Sequence, residues 1–286
     1  MDLITVNGAN DDFNLSSTVW GKCPIKGLRE GRIPGVIVGG LNEFAQFNIT
    51  PATTEGNWTA QGGYSQFSGT GGTITAPAAT AATAAGLPSP GITVGSDDDN
   101  EGVGLRTTSV PFMINRANQA FWFECRVKKS TVANTTLEMF VGLMMNAALT
   151  ATVPITTTAA TLADTNLVGF YSTESNGDAA STTYKSNGVT AVVVGADEVT
   201  FVADTYTKLG MRYIPTGDKK GSYYLNFYQD GTLLSSSKQI DTGNGADFPT
   251  DVAMGLVFAT RNAAGSSPGT ATLQWWQAAQ LYAPLL

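Results

Sequence analysis

Carboxylates are the first side chains in this sequence whose types and spacing could do chemistry. One run brings five oxygen-bearing side chains together, Asp97, Asp98, Asp99, Asn100 and Glu101. Ca²⁺ prefers such ligands and takes about six to eight oxygens. The run does not have the spacing of an EF-hand loop, and adjacent side chains of an extended segment point to opposite sides. It is a candidate calcium site, and a solvated acidic loop is the alternative interpretation.

Histidine is absent from all 286 residues. This removes the commonest general base, the usual activator of a nucleophile and the commonest transition-metal ligand. A Ser-His-Asp triad and histidine-ligated zinc are therefore excluded. The two cysteines, Cys23 and Cys125, are too few for a disulfide framework. We predict two free thiols, no catalytic residue and no cofactor.

The element that must position any functional group is the stretch at residues 119–130. At a period of two, Phe121, Phe123, Cys125 and Val127 fall on one face, which is the pattern of a half-buried β-strand. The opposite face carries Trp122, Glu124, Arg126 and Lys128. Because Glu124 has no second carboxylate on its strand, we expect it to pair with Arg126, two residues along.

Later segments repeat this design. Residues 137–145, 167–171 and 252–259 are apolar on both faces, which predicts central strands. The sequence Gln229-Asp230-Gly231-Thr232 predicts a hairpin turn. We expect surface loops at the Thr- and Ala-rich residues 147–165 and at the low-complexity residues 76–90, the latter with a helical turn or a domain linker as alternatives.

Charge and hydropathy limit the partners. The formal net charge is −7 and only 14% of residues are charged. Nucleic-acid binding needs clustered Lys and Arg, and the longest basic run is Lys128-Lys129. The first residues lack the regions of a signal peptide, and no apolar run approaches the ~18–20 residues of a membrane helix. We predict no nucleic-acid partner, no membrane association and synthesis in the cytoplasm.

Residues 1–55 differ from the rest in being rich in Asn, Gly and Pro, with few alternating patterns. We interpret them as an N-terminal arm or small subdomain that orders against the main domain or against a neighbouring subunit. The alternative is that they add strands to the main domain. The candidates for partner contacts in this region are Lys22, Lys26, Arg29, Arg32, Val36 and Ile37.

The order of the strand-like segments resembles a known fold family. The segments are Phe-Trp-Phe-Glu-Cys-Arg-Val (121–127), Phe-Val-Gly-Leu (140–143), Val-Gly-Phe-Tyr (168–171), Lys-Leu-Gly-Met-Arg-Tyr (208–213), Leu-Asn-Phe-Tyr-Gln-Asp-Gly (225–231), Ala-Met-Gly-Leu-Val-Phe (253–258) and Leu-Gln-Trp-Trp-Gln-Ala-Ala-Gln-Leu (273–281). Together they resemble the concanavalin-type (laminin-G-like) jelly roll, and more narrowly the versions in structural proteins of tailed bacteriophages.

The resemblance implies an all-β fold, an antiparallel jelly-roll β-sandwich with an extended N-terminal arm. The sandwich domain would span residues 56–286, with its strand core at about residues 100–286. Glucanases of this family carry a Glu-x-Asp-x-Glu strand, since retention needs two carboxyl groups about 5–5.5 Å apart. Here Glu124 and Glu138 are each the only carboxylate of their strand. The pattern departs from the hydrolases, and the acidic run departs from the calcium loops of the lectins.

A structural or interaction role remains as the implied function. Its most concrete form is a capsid decoration (cement) protein on the exterior of a phage virion, made in the host cytoplasm. Its partners would be the major capsid protein and copies of itself, as a dimer or trimer. The alternative is a carbohydrate-binding module of a tail fibre or spike, with Trp122, Trp276 or Tyr228 stacking on a glycan.

Overall fold

The computed structural model describes residues 16–21, 23, 36–40, 64–68, 73–75, 91–95, 101–107, 110–114, 120–145, 154–155, 161–215, 222–241, 247–263 and 269–281. Its strands are β1 (Val36–Gly40), β2 (Tyr64–Ser68), β3 (Thr73–Thr75), β4 (Ile92–Gly95), β5 (Gly102–Thr107), β6 (Phe112–Met113), β7 (Phe121–Lys129), β8 (Leu137–Met145), β9 (Leu167–Ser172), β10 (Ala179–Lys185), β11 (Val192–Thr200), β12 (Thr207–Pro215), β13 (Ser222–Gln229), β14 (Thr232–Asp241), β15 (Ala253–Asn262) and β16 (Thr270–Leu281). A helix long and apolar enough to cross a bilayer does not occur in these ranges.

Two eight-stranded antiparallel sheets form the sandwich. Sheet A has the order β14-β13-β12-β7-β16-β4-β3, and β1 also pairs with β16. Sheet B has the order β11-β10-β9-β8-β15-β5-β2, and β6 also pairs with β15. The predicted fold class, an antiparallel jelly-roll β-sandwich, is confirmed. The hairpin at Asp230-Gly231 is confirmed too, since both residues have positive φ (48° and 79°), as a two-residue hairpin turn requires.

Strand β7 is the middle strand of sheet A, between β12 and β16. Its predicted inward residues, Phe121, Phe123, Cys125 and Val127, all lie in the main core. Aromatic contacts join the two sheets inside this core. One is the edge-on pair Phe170–Phe227, whose ring centroids are 5.3 Å apart. The period-two prediction for the inward face is therefore correct. The strand is not half-buried, however, because Trp122 and Glu124 of the opposite face are fully buried as well.

The strands predicted to be central occupy that position. Strands β8, β9 and β15 lie inside sheet B, and the side chains of β8 are buried on both faces up to Met144. Burial on the outer face has a specific cause. Phe140, Met144 and Leu167 point outward and pack under Ile155 and Leu162.

This contact corrects the prediction of a surface loop at residues 147–165. In the part that the structure describes, Ile155 and Leu162 pair in an isolated β-bridge, and Ile155, Leu162 and Ala163 are buried. An apolar outer face on sheet B needs a cover, because burial of apolar area is worth about 25 cal/mol per Å². The insertion supplies it. Residues 76–90 lie outside the described ranges.

Candidate functional site

Glu124 lies under the N-terminal residues of the chain. Residues 16–21 and 23 lie on the outer face of sheet A, and Glu124 is fully buried beneath them. One carboxylate oxygen, Oε2, accepts hydrogen bonds from the backbone N–H of Ser16 at 2.9 Å and from the indole N–H of Trp20 at 2.8 Å. Burial raises the pKa of Glu124, and the bonds from Ser16 and Trp20 oppose that shift.

The N-terminal residues are held by apolar packing as well. We call these residues, the described part of 16–23, the cover segment. Its Val19, Trp20 and Cys23 are buried in one cluster with side chains of the sheet, namely Ala120, Trp122, Ile214, Tyr228 and Ala279. Val19 fits over Gly210 of β12, where an added Cβ would lie 2.7 Å from Val19 Cγ2. Glycine in a strand interior can mark such a close approach, and this is the sequence signal that the prediction missed.

Polar bonds fix the direction of the cover segment. Trp122 Nε1 donates to the carbonyl of Gly21 at 3.2 Å, and Arg212 Nη1 donates to the carbonyl of Thr18 at 2.8 Å. The Thr18 hydroxyl donates to the carbonyl of Gly231. The segment is thus tied to strands β7 and β12 and to the β13–β14 turn.

The expected ion pair between Glu124 and Arg126 is wrong. Arg126 Nη1 donates to Gln274, and its guanidinium lies 4.6 Å from the centroid of the Tyr206 ring. Two residues on one face of a strand are about 6.5–7 Å apart, so each finds a nearer partner on a neighbouring element. Glu124 turns to the cover segment, and Arg126 turns to Tyr206.

The three aromatic side chains proposed as sugar-stacking platforms are not available for stacking. Trp122 and Tyr228 are buried under the cover segment, and Trp276 lies in the main core, where its indole N–H donates to the hydroxyl of Tyr64 at 3.2 Å. That expectation is wrong for all three. For Trp122 and Tyr228 the physical reason is that the cover segment packs on this part of the outer face of sheet A. Trp276 points to the opposite side, into the core between the sheets.

A second buried polar group lies at one end of the core. Lys129 Nζ donates to the Leu137 carbonyl at 2.9 Å, to the Ser172 hydroxyl at 3.1 Å and to the Gly177 carbonyl at 2.8 Å. Its three N–H groups thus join sheet A to strands and a turn of sheet B. Burial lowers the pKa of Lys129 to about 8, while Glu138 and Asp178 act in the opposite direction. The period-two pattern already places residue 129 on the inward face.

Glu138, on the outer face of β8, pairs with Arg261. The distance from Arg261 Nη1 to Glu138 Oε2 is 3.1 Å, and both side chains are almost fully buried. The two residues face each other across β8 and β15. Burial raises the pKa of Glu138, and the Arg261 charge limits the rise. Both carboxylates that the sequence singled out on strands therefore have structural partners.

An open cleft of about 520 Å³ lies beside the insertion that covers sheet B. Its walls include Thr161, Asp164, Tyr171, Lys185 and Ala191. Lys185 Nζ lies 3.4 Å from Asp164 Oδ1. The backbone N–H of Gly188 donates to the same oxygen at 2.7 Å, which lowers the pKa of Asp164. The cleft thus combines a half-buried aromatic ring with a fixed cation and a fixed carboxylate.

The structure describes few of the predicted site residues. Lys22, Lys26, Arg29 and Arg32 lie outside the described ranges, as do Asp97 to Asn100 of the acidic run. Glu101 is described, and its backbone carbonyl accepts the Asn262 N–H at 3.0 Å. The part of the chain that is described holds no group of three Asp, Glu or Cys residues placed to bind a metal.

Val36 and Ile37 are paired by their backbones with Leu281 and Gln280 of β16. Residues 36–40 therefore add a strand to sheet A, as the alternative interpretation of the N-terminal region expects. The two cysteines carry free, buried thiols, and Cys125 lies in the core as predicted. Burial raises the pKa of both thiols.

Replacement of Trp20 by alanine tests how firmly the cover segment is held. We expect Trp20→Ala to lower the free energy of unfolding by about 3 kcal/mol, since the change removes a buried indole and one hydrogen bond to a buried carboxylate. Urea unfolding followed by circular dichroism measures the loss. Val202→Ala is the control, because Val202 is 61% exposed and its loss should change stability by less than about 0.5 kcal/mol. Equal losses in the two variants would contradict the described packing.

Comparison with known proteins supports the fold. No family model and no curated protein matches the chain. Among solved structures, a protein of unknown function from Shewanella oneidensis MR-1 is 11% identical with a TM-score of 0.53, over 92% of this chain and 96% of that one. The carbohydrate recognition domain of Emp47p is 9% identical with a TM-score of 0.46, over 76% of this chain and 88% of that one. An endo-1,3-beta-glucanase from Streptomyces sioyaensis is 9% identical with a TM-score of 0.45, over 66% and 76%. Likeness at these identities concerns the fold alone.

Proposed function

We propose that this chain is a non-catalytic structural protein of a tailed-bacteriophage virion, a capsid decoration (cement) protein on the exterior of the head. The observation that carries the proposal is that both carboxylates on the strands have structural partners. Glu124 holds the cover segment and Glu138 is paired with Arg261, so both contribute to architecture. The series of strand segments that resembles phage structural proteins supplies the virion context.

The N-terminal region provides the contact in this proposal. Cys23 is buried against sheet A, and Val36 begins a strand of the same sheet, so two described elements bracket the connection between them. This connection includes Lys26, Arg29 and Arg32, and Lys22 directly precedes Cys23. These cations contact acidic side chains of the major capsid protein.

On a capsid, many copies of the chain bind at once, so weak contacts of each copy add up. A dimer or trimer of this chain bridges neighbouring capsid subunits, and many symmetric copies give avidity from weak individual contacts. Each bridge opposes the separation of subunits under internal genome pressure. The sandwich, whose two sheets share one hydrophobic core, transmits that load.

Two measurements test the role. In a cryo-EM map of the purified particle, we expect density for the sandwich on the outer head surface. We also expect the purified chain to co-sediment with heads that lack it, and a variant with Lys22, Lys26, Arg29 and Arg32 all changed to Ser to lose at least about tenfold in affinity. Density only at the tail, or no density for the chain, would rule out decoration of the head.

The cleft beside the insertion favours a second candidate, carbohydrate binding in a tail fibre or spike. Its volume falls within the range of about 300–1,000 Å³ typical of small-ligand sites. The Tyr171 ring offers an apolar surface to a sugar, and the Lys185–Asp164 pair offers a donor and an acceptor to its hydroxyls.

A glycan array, probed with and without Ca²⁺, tests this second candidate. Tyr171→Ala should abolish any binding that uses the cleft, whereas Tyr224→Ala should leave it intact, because Tyr224 is exposed on β13 of sheet A. An array without hits, or hits that survive Tyr171→Ala, would count against a sugar site in this cleft.

A further inference from the structure

Two buried acceptor atoms on neighbouring strands beneath the cover segment have no hydrogen-bond partner among the described residues. Glu124 and Gln277 are directly paired residues of β7 and β16, and both side chains are buried. Oε2 of Glu124 is occupied by the two N–H groups from the cover segment. Oε1 of Glu124 and Oε1 of Gln277 have no hydrogen-bond partner among the described residues.

An ionised carboxylate fits this arrangement poorly. Residues paired across two antiparallel strands have Cβ atoms about 4.5–5.5 Å apart, so their side chains compete for the same space. Two bare acceptor oxygens in a buried site repel each other and forfeit the hydrogen bonds they made to water. A proton on Oε1 of Glu124 removes the repulsion and supplies the missing hydrogen bond, because the O–H then donates to the amide oxygen of Gln277.

We propose that Glu124 is a protonated carboxylic acid in the docked state, with its O–H donated to Gln277, and that loss of this proton loosens the cover segment from sheet A. The cover segment is then a pH-sensitive latch. Below the transition, Oε2 accepts from Ser16 and Trp20 while Oε1 donates to Gln277. Above it, the buried charge must be solvated, and the simplest way is to lift residues 16–23 and admit water.

The charged groups around Glu124 set the midpoint of the transition. From β12, the Lys208 ammonium favours the carboxylate, and Arg212 lies on the same face, bonded to the Thr18 carbonyl. From its own strand, Arg126 is drawn toward Tyr206. Strand β16 contributes the neutral Gln277. The cover segment contributes the hydroxyls of Thr18 and Ser16, and the Ser16 hydroxyl favours the carboxylate form of Glu124, as the Ser16 backbone N–H does. Burial opposes these cations and is the largest influence on the pKa of Glu124, which it raises.

The direction of the pH dependence follows from proton binding. In the undocked state the Glu124 carboxyl has its usual pKa of 4.5. Between that value and the higher pKa of the docked state, the docked form binds more protons. Docking therefore weakens as pH rises through this window, by a factor of about ten for each pH unit. An ionised Glu124 in the docked state would give the opposite slope.

Hydrogen exchange of residues 16–23 tests the latch in wild type and in Glu124→Gln. Glutamine keeps the shape of the protonated acid, since one atom accepts from Ser16 and Trp20 and the amide N–H donates to Gln277. We expect the ratio of protection factors, Glu124→Gln over wild type, to rise at least about tenfold between about pH 5 and pH 8. Lys129 and Glu138 titrate in both proteins. Their effect on the protection factors therefore cancels when the two proteins are compared at the same pH.

A ratio that falls with rising pH would overturn the proposal, because it would mean that the docked state prefers the carboxylate. A ratio that does not change would overturn it as well. Gln277→Leu is the second variant. At about pH 5 it should reduce protection of the cover segment by at least about fivefold, since the O–H loses its acceptor. Unchanged or increased protection in Gln277→Leu would show that no proton is shared at this position.

Discussion

Replacing Lys129 by methionine is expected to lower the free energy of unfolding by about 3–5 kcal/mol, the loss typical of removing one partner from a buried charged network. Methionine fills a similar volume but donates no hydrogen bond. The carbonyls of Leu137 and Gly177 and the hydroxyl of Ser172 would each lose a donor inside the protein. Guanidinium unfolding at about pH 7 measures the difference.

Lys128 supplies a matched control for this experiment. It is the preceding residue of the same strand, it is partly exposed, and its ammonium lies 3.7 Å from a carboxylate oxygen of Asp204. Exposed ion pairs contribute about 0–1 kcal/mol, so Lys128→Met should change stability little. Similar losses for the two variants would mean that the three bonds of Lys129 contribute nothing specific.

The loss of stability caused by Lys129→Met should also depend on pH. The pKa of Lys129 falls from 10.5 in the unfolded chain to about 8 in the fold. Between these values the unfolded chain binds more protons, so wild-type stability rises with pH in this window. The methionine variant lacks this gain. Its deficit relative to wild type should therefore widen as pH rises from about 8 to 10, and a narrowing deficit would contradict the lowered pKa.

Gly142→Ala is the second change with a large expected effect. Gly142 of β8 is paired with Gly169 of β9, and an added Cβ would overlap the Val168 carbonyl and lie 2.7 Å from Gly169 Cα. These are backbone atoms of the centre of sheet B, which cannot move without breaking the ladder. We expect a loss of about 3 kcal/mol or more, at the upper end for overpacking, or failure to fold.

Gly188→Ala is the comparison for this second change. Gly188 lies in an exposed turn, and a Cβ added there would meet nothing within 4 Å. Its φ of +77° still makes alanine unfavourable by about 1–2 kcal/mol. In thermal unfolding, the melting temperature of Gly142→Ala should therefore be well below that of Gly188→Ala. The reverse order would mean that strands β8 and β9 are not as close as the structure has them.

The sequence predicts the strands better than the surfaces between them. Strand β7, the central strands of sheet B and the Asp230-Gly231 turn follow from periodicity, burial and turn chemistry, which act over a few neighbouring residues. The cover segment cannot be predicted in that way. Val19 and Trp20 have no alternating pattern, and their burial depends on a groove built from four strands far away in the chain.

Lys129 shows the same limit at a single residue. Period two places it on the inward face, yet a lysine at the end of a strand is normally expected to be solvated. Only the assembled sandwich brings two carbonyls and one hydroxyl to its ammonium. Glu124 is a comparable case, because the sequence shows a single carboxylate on a strand and gives no sign of the indole that will bind it.

The position of β16 in sheet A also determines the order of assembly. Strand β16 pairs with β7, β4 and β1, all of which precede it in the chain. Sheet A therefore stays divided, and the groove that receives Val19 and Trp20 stays incomplete, until about residue 281 has emerged from the ribosome. Such distant pairings make folding slow, and they leave apolar segments exposed to association in the meantime. Newly made chains should accordingly be more prone to association before β16 is available than after the sandwich is complete.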